Sequence, residues 1–298
     1  MTIEPPVPGE PRRPFGPRDS GDAWVVAPTG ERYWGRYGAA GLLAVDPERG
    51  VLLQHRVSWS HFGDTWALPG GARHEGESAC DAALREAAEE AGVPDASIRP
   101  HVLSVLDLGY WSYTTLVGDV TVPFEPTISD PESRELAWVP VEEVARHPLH
   151  PGFEASWDRL RALVDVRPAV VVDAANVVGS VPDGWWRDRS GAARGLLSRV
   201  SALVQRGIPA PVLDLPEDTW FPRWSVVLEG QARAAGDVSG IDVVRAEASG
   251  DDAIVAETER LVSTGALVTV VTSDRALRER VTDAGAVVRG ARWLLDLG

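Results

Sequence analysis

In Arg85-Glu86-Ala87-Ala88-Glu89-Glu90-Ala91-Gly92, three glutamates stand at i, i+3 and i+4 of a stretch whose alanines recur at positions 79, 82, 83, 87 and 91. That period is helical, and Gly92 stands where a helix stops, so the spacing predicts a helix over 78–91. On it, the carboxylates of Glu86, Glu89 and Glu90 leave one face within a turn of each other. Three like charges repel, and such packing is unfavourable unless a hard divalent cation sits among them; carboxylate oxygens are the ligands that magnesium and manganese prefer. Just upstream, Leu68-Pro69-Gly70-Gly71 brings a stiff entry and two glycines, which let backbone carbonyl and N–H groups approach a metal or a phosphate. The competing reading of the same residues is an exposed acidic helix behind a glycine turn.

The chain has 298 residues, which at roughly 150 per domain suggests two domains, and 44% hydrophobic with 24% charged residues is ordinary globular composition. The one cysteine, Cys80, can form neither an internal disulfide nor a cysteine metal site, and the first twenty residues hold no apolar core of a signal peptide. No apolar run has the length of a membrane span. These features predict a soluble, cytoplasmic chain with no membrane partner, and leave its oligomeric state open. The net charge is -15, which argues against non-specific attraction to nucleic acid or anionic lipid. It is unevenly spread: 14 Arg against 26 acidic residues up to position 165, and 15 against 18 beyond it. Lysine is absent, so any phosphate contact falls to arginine, a backbone N–H or a bound cation.

Residues 1–21 are proline-rich and aperiodic and are expected to form a disordered lead. A strand at 38–45, a turn at Asp46-Pro47-Glu48-Arg49-Gly50 and a strand at 50–54 follow. Further strands are expected at 102–113, 115–122 and 137–139, and a helix at 153–164. The pattern restarts at Val164-Asp165-Val166-Arg167-Pro168, giving a first domain over 22–165 and a second over 168–298, with the boundary near 166. In the second, strands at 169–173, 224–229, 241–245 and 266–272 alternate with helices at 192–206, 251–263 and 275–284, the pattern of an α/β domain built on a parallel sheet.

Gly71, five residues, Glu77, seven residues, then Arg85-Glu86, Glu89-Glu90 and Gly92-Val93 resembles the Nudix box at every polar and glycine position. Ala87 departs from it, standing where a larger aliphatic residue is usual. Trp66-Ala-Leu-Pro-Gly-Gly71 and Arg134-Glu-Leu-Ala-Trp138-Val look like the same family, so the resemblance covers about 22–165. It implies an α/β/α sandwich with a mixed sheet, and a hydrolase that cleaves a nucleoside diphosphate linked to another moiety, as a nucleoside triphosphate pyrophosphohydrolase does. It also implies that Glu86, Glu89, Glu90 and the Gly70 carbonyl bind Mg2+ or Mn2+, with Arg85 and Glu77 orienting the loop and helix. The general base stays open among Glu86, Glu132 and Glu135, the last two reading equally well as solvated loop charges. Tyr110, Trp111, Trp59 and His61 are candidates to stack on a base, against the ordinary fate of an aromatic beside a strand, which is core. His74 falls at a variable position of the box, and Cys80 is a small residue near the start of the helix.

In the second domain, Asp173 and Asp274 end strands, Asn176 follows three residues after Asp173, and Asp251 and Asp252 open a helix. The carboxyl ends of parallel strands form the crevice where such sheets bind ligands, and acids converging there suit Mg2+ or Mn2+. Aspartates after strands also simply cap helices. The strings Val171-Val-Asp-Ala-Ala-Asn176, Ser249-Gly-Asp-Asp-Ala-Ile254 and Val271-Thr-Ser-Asp274 resemble those of NYN and PIN-like metal-dependent ribonuclease domains. The resemblance implies a site of Asp173, Asn176, Asp251 and Asp274, with Asp252 adjacent and Glu229 the candidate further acid. Trp185, Trp186, Arg187 and Arg189, with Arg275, Arg278 and Arg280, offer rings and cations for single-stranded RNA, or one buried ring and ordinary surface ion pairs.

Two functions follow as expectations. One is a metal-dependent nucleotide hydrolase whose PIN-like second domain binds or cuts RNA. The alternative is a nucleotide-sensing regulator with a non-catalytic interaction domain.

Overall fold

The computed structural model describes residues 1–5, 19–181 and 184–297; most of the expected lead, together with Pro182 and Asp183, lies outside them. Contacts divide the chain into a first unit, Met1–Val164 with Pro216–Asp218, and a second, Asp165–Leu215 with Thr219–Gly298.

In the first unit, β1 (Thr2–Glu4), β2 (Trp24–Val26) and β3 (Arg32–Trp34) form a small antiparallel sheet. The start of the expected disordered lead therefore supplies a strand. Its three residues are proline-free and complete the open edge of β2, and Pro5, which has no N–H, follows immediately. The main sheet comprises β4 (Ala39–Asp46), β5 (Gly50–Arg56), β6 (Trp66–Ala67), β7 (Gly70–Ala72), β8 (Ile98–Asp107), β9 (Ser112–Val120) and β10 (Ser133–Val139). Its order is β10-β5-β4-β9-β8, with β6 paired to β5 and β7 to β4. The β4–β9 pair is parallel and its other pairs are antiparallel, so the sheet is mixed. The β4–β5 turn is held by Asp46, whose Oδ1 accepts from the backbone N–H groups of Glu48 and Arg49 at 2.9 and 3.0 Å. The single strand expected at 102–113 is instead a hairpin: Asp107 accepts from Gly109 N–H at 2.7 Å, an Asx turn that reverses the chain.

Helix α1 (Ala79–Ala91) starts on Ser78, whose hydroxyl accepts from Asp81 N–H, and stops at Gly92 with φ 63°. Its alanines 82, 83, 87 and 91 pack on Ala40, Leu42, Ala44, Leu52 and Leu116 of one sheet face. Each fully buried leucine there contributes roughly 1.5–3 kcal/mol. The small alanines bring the helix axis close to the sheet, which suits alanine at position 87. Helix α2 (Pro151–Leu163) begins with a proline at its first position and buries Phe153, Trp157, Leu160 and Leu163.

The second unit runs β11 (Pro168–Asp173), α3 (Ala174–Gly179), α4 (Arg189–Arg206), a short antiparallel pair β12 (Ile208–Pro209) and β13 (Thr219–Trp220), β14 (Arg223–Leu228), β15 (Ile241–Arg245), α5 (Gly250–Ser263), β16 (Leu267–Val271), α6 (Arg275–Asp283), β17 (Val287–Arg289) and α7 (Ala291–Asp296). The sheet order is β15-β14-β11-β16-β17 and every pair is parallel. Along β11, Val170 and Val172 face a core with Leu197, Val200 and Leu294, while Ala169 and Val171 face another with Ile254, Leu261 and Leu277. A strand buried on both faces reads as the continuous apolar run seen in the sequence. Helix α3, strand β17 and helix α7 were not legible because each is only three to six residues long. Among the described residues no helix is long and apolar enough to cross a membrane.

A Cβ at Gly92 would meet the Thr127 hydroxyl at 2.1 Å, on top of its left-handed φ. Gly92→Ala is expected to cost about 1–2 kcal/mol, measured as an earlier urea midpoint for the first unit.

Candidate active site

Helix α1 delivers two carboxylates into the interior. Glu86 and Glu90, one turn apart, are 2% and 6% exposed, whereas the Glu89 side chain remains 44% exposed. The expected shared face is thus a buried pair with a third carboxylate rotated toward solvent, because i+3 and i+4 differ by about 100° around the helix. Gly70 N–H donates to Glu90 Oε2 at 2.9 Å, which ties the glycine loop to the helix. At Gly71 a Cβ would lie 2.6 Å from Glu86 Oε2, so a larger residue would displace that carboxylate, and at Gly70 a Cβ would meet the Ala40 carbonyl oxygen at 2.5 Å.

Arg85 ties the loop to the helix. Its guanidinium donates to Glu77 Oε1 at 2.8 Å and Oε2 at 2.9 Å, to Glu86 Oε1 at 2.7 Å and to the Ala72 carbonyl at 3.0 Å, and approaches Glu89 Oε2 at 3.6 Å. Burial opposes its charge, but the bonds to Glu77 and Glu86 more than offset this and raise its pKa. Glu77 also accepts from His74 N–H at 2.8 Å. Burial pushes the Glu90 carboxyl well above the ordinary range and the charge of Glu86 adds to the shift, against the Gly70 N–H and Arg56.

Two buried carboxylates that resist sharing negative charge, lodged against a glycine loop, are a hard-oxygen donor set that fits a divalent cation. The side chains are not already gathered as a cage: among the described residues, no group of three or more His, Cys, Asp or Glu stands ready to hold an ion.

The pair opens into a cavity of about 700 Å³ whose lining includes Gly70, Gly71, Arg56, Glu132, Tyr113 and His150. Arg56 reaches Glu132 at 3.4 Å, both side chains being about 15% exposed or less. Glu132 therefore meets the site, while Glu135 is 59% exposed beside His55 at 3.9 Å and does not line the cavity. Burial, then the Glu90 charge, raises the Tyr113 hydroxyl. Burial, with Arg56 and His61, lowers His150 to about 4; its neutral Nδ1 accepts from Gly152 N–H at 3.1 Å and caps α2.

Trp111 and His61 line the cavity, whereas Trp59 and Tyr110 do not. Trp111 packs on Tyr33 with centroids 4.7 Å apart, and Trp59 is largely exposed. His74 pairs with Asp19 at 3.2 Å. Cys80 is half-buried, and burial pushes its thiol up to about 11. Sequence reasoning missed Arg56, Tyr113 and His150; the one available signal was an arginine ending the apolar strand β5.

In the second unit the carboxyl ends of β11 and β16 meet. Asp173, 8% exposed, accepts from Asn176 N–H at 3.0 Å and from the Thr272 hydroxyl at 2.8 Å, and Ser273 N–H donates to Asn176 Oδ1 at 2.8 Å. Burial raises the Asp173 carboxyl against these bonds, and the charges of Asp251 and Glu229 add to the rise. Asp274 accepts from Leu277 N–H at 2.8 Å and caps α6; Asp252 pairs with Arg280 at 2.6 Å. Trp186 is exposed, the Arg189 guanidinium lies 5.5 Å from the Trp185 ring, and Arg275 approaches Glu279 at 3.8 Å. Arg187 and Arg278 are exposed.

Arg85, bonded to both Glu77 oxygens, holds that carboxyl below its ordinary value. A carboxylate lowered in the folded state stabilises the protein above its unfolded pKa of about 4.3, and this is lost as the pH falls through the folded value. Glu77→Gln is therefore expected to reduce stability at pH 7, with the gap to wild type closing below about pH 4 in a pH series of thermal melts.

The family match falls on the first unit. The NUDIX domain matches residues 35–160. "Putative 8-oxo-dGTP diphosphatase 3" of Mycobacterium tuberculosis (strain CDC 1551 / Oshkosh) is 49% identical over 154 residues, 48% of this chain and 70% of that protein. A "Nucleoside triphosphate pyrophosphatase/Nudix hydrolase fusion protein" of Bifidobacterium longum (strain NCC 2705) is 39% identical over 155 residues, 49% of this chain and 32% of that protein. Among solved structures, the Nudix hydrolase RenU of M. smegmatis is 48% identical, covering 48% of this chain and 94% of that chain with a TM-score of 0.43. The match holds the buried glutamates and the arginine that braces them within its limits, and the chain belongs to the Nudix hydrolases, enzymes that cleave phosphoanhydride bonds.

Proposed function

We propose that the first unit hydrolyses a nucleoside diphosphate linked to another moiety, in the manner of a nucleoside triphosphate pyrophosphohydrolase. The observation that carries this is the buried Glu86–Glu90 pair opening, beside Gly70 and Gly71, into the cavity of about 700 Å³. Glu86, Glu89 and Glu90, with the Gly70 carbonyl, would hold Mg2+ or Mn2+, which when bound supplies charge neutralisation at the diphosphate and a lowered pKa for the attacking water. Arg85 aims Glu86 at the loop, and with Glu77 it fixes the distance between loop and helix. Arg56, whose Nε has no hydrogen-bond partner among the described residues, supplies a cation on the cavity wall for a phosphate.

Of the three candidates for general base, we assign Glu132: a base must reach the attacking water, Glu135 stands outside the cavity, and Glu86 is taken up as a metal ligand in this reading. The M. tuberculosis relative is named for 8-oxo-dGTP, so oxidised and ordinary purine nucleoside triphosphates head the substrate panel. The test is product release with magnesium from nucleoside triphosphates, dinucleoside polyphosphates, ADP-ribose and nucleotide sugars. Glu86→Gln and Glu90→Gln are expected to lose at least 100-fold in turnover, an estimated ~3 kcal/mol of transition-state stabilisation, and wild-type turnover in either at saturating magnesium would sink the metal assignment. Glu132→Gln is expected to lose turnover with little change in nucleotide affinity.

For the second unit, we infer a ligand site at the carboxyl edge of the parallel sheet. The support is topological: β14 and β16 leave β11 in opposite directions, and Asp173, Asn176 and the Thr272–Asp274 segment meet at that switch point. With the resemblance to NYN and PIN-like strings, this favours RNA as the ligand and Asp173, Asn176, Asp251 and Asp274 as the residues that act on it, Asp252 and Glu229 standing beside them. Cleavage or salt-dependent binding of single-stranded RNA that is lost in Asp173→Asn is the expected outcome; no binding at low salt would leave the unit without this role.

A further inference from the structure

The cavity floor carries a polar group that the diphosphate chemistry does not use. Ser104 of β8 is 1% exposed and lines the cavity, and its hydroxyl has no hydrogen-bond partner among the described residues. A buried hydroxyl left unpaired is costly. The register sets its distance from the acidic pair: Ser104 lies opposite Thr115, Thr115 opposite Gly41, and Gly41 opposite Gly70. Three inter-strand steps separate Ser104 from the glycine that donates to Glu90, about 14 Å across the sheet. Partners in register share a face, and that face is the one turned away from α1.

The groups along this row are suited to a nucleotide. The Tyr113 hydroxyl lies over Gly41, 2.2 Å from where a Cβ would stand, so Gly41 leaves the space the phenol occupies midway along the floor. Beyond Tyr113, Leu106 is its cross-strand partner, and Trp111 with Tyr33 forms an aromatic wall. Flat apolar surface beside an orphaned hydroxyl, one molecule's length from the carboxylates, matches a planar heteroaromatic ring with a polar edge.

We propose that Ser104 is a specificity-determining residue whose hydroxyl hydrogen-bonds the polar edge of the substrate's nucleobase. This rests on the reading of the cavity as the nucleotide site. A residue that serves only packing would weaken the fold when its hydroxyl is removed. One kept for the ligand would not, because the free protein loses no bond.

The test measures kcat and KM across four nucleoside triphosphates and a base-free pentose triphosphate, together with thermal unfolding, for wild type, Ser104→Ala, Ser104→Thr and Ser104→Val. In Ser104→Ala, kcat/KM for the preferred nucleotide is expected to fall about tenfold, carried by KM, the size of one neutral hydrogen bond. Cleavage of the base-free substrate and the unfolding midpoint hold at or above wild type. Ser104→Thr, which keeps the hydroxyl, retains the base ranking that its isostere Ser104→Val loses. An unchanged KM and base ranking in Ser104→Ala and Ser104→Val overturns the Ser104 assignment alone. Wild-type protein that neither binds nor cleaves any nucleotide overturns the site reading, and this inference with it.

Discussion

The contact on which the rest of the first unit depends is the Arg85 guanidinium clamped between Glu77, Glu86 and the Ala72 carbonyl. Removing Glu86 and Glu90 from water is expensive, and two such charges a helical turn apart repel. Arg85 supplies the counter-charge from the helix itself, and its remaining donors reach back to the loop that carries Gly70 and Gly71. Loop, helix and carboxylates therefore form one unit: the arginine that makes the buried acids tolerable also sets where the backbone lies against them.

The mixed sheet serves this arrangement with its two faces. One face is apolar and closed by the alanines of α1, whose small size lets the helix sit near enough for Glu86 and Glu90 to reach β7. The other bears Ser104, Tyr113 and Thr115 and looks into the cavity. The parallel β4–β9 pair joins these roles, since alternate residues of β9 face α1 and the cavity in turn. The side chains that line the cavity are thus held on rigid strands and a helix, with Glu132 supplied by the residue just before β10.

The second unit follows a different principle. Its central strand is covered on both sides by apolar cores, which leaves the strand ends as the natural place for polar residues. Asp173 and Asp274 cap the helices that follow them, and Asp173 also accepts from Thr272 of the other strand end. Capping and ligand binding draw on the same residue types at the same positions, so sequence pattern by itself does not separate them.

What the sequence by itself determined lies in local periodicity and fixed spacing: the helix from Ser78 to Gly92, the glycine loop before it, the braced glutamates, and the alternation of strands and helices after residue 166. These depend on contacts within a few residues, where the side-chain period and the capping residues decide the outcome. Only the tertiary structure decided that Glu89 stands apart from the buried pair, that Glu132 and not Glu135 enters the cavity, and that Arg56, Tyr113, His150 and Ser104 converge on it. Those residues come from separate segments spread between positions 56 and 150, and what brings them together is the folding of the sheet and its loops, a non-local pairing that leaves no mark on the residues nearest to each.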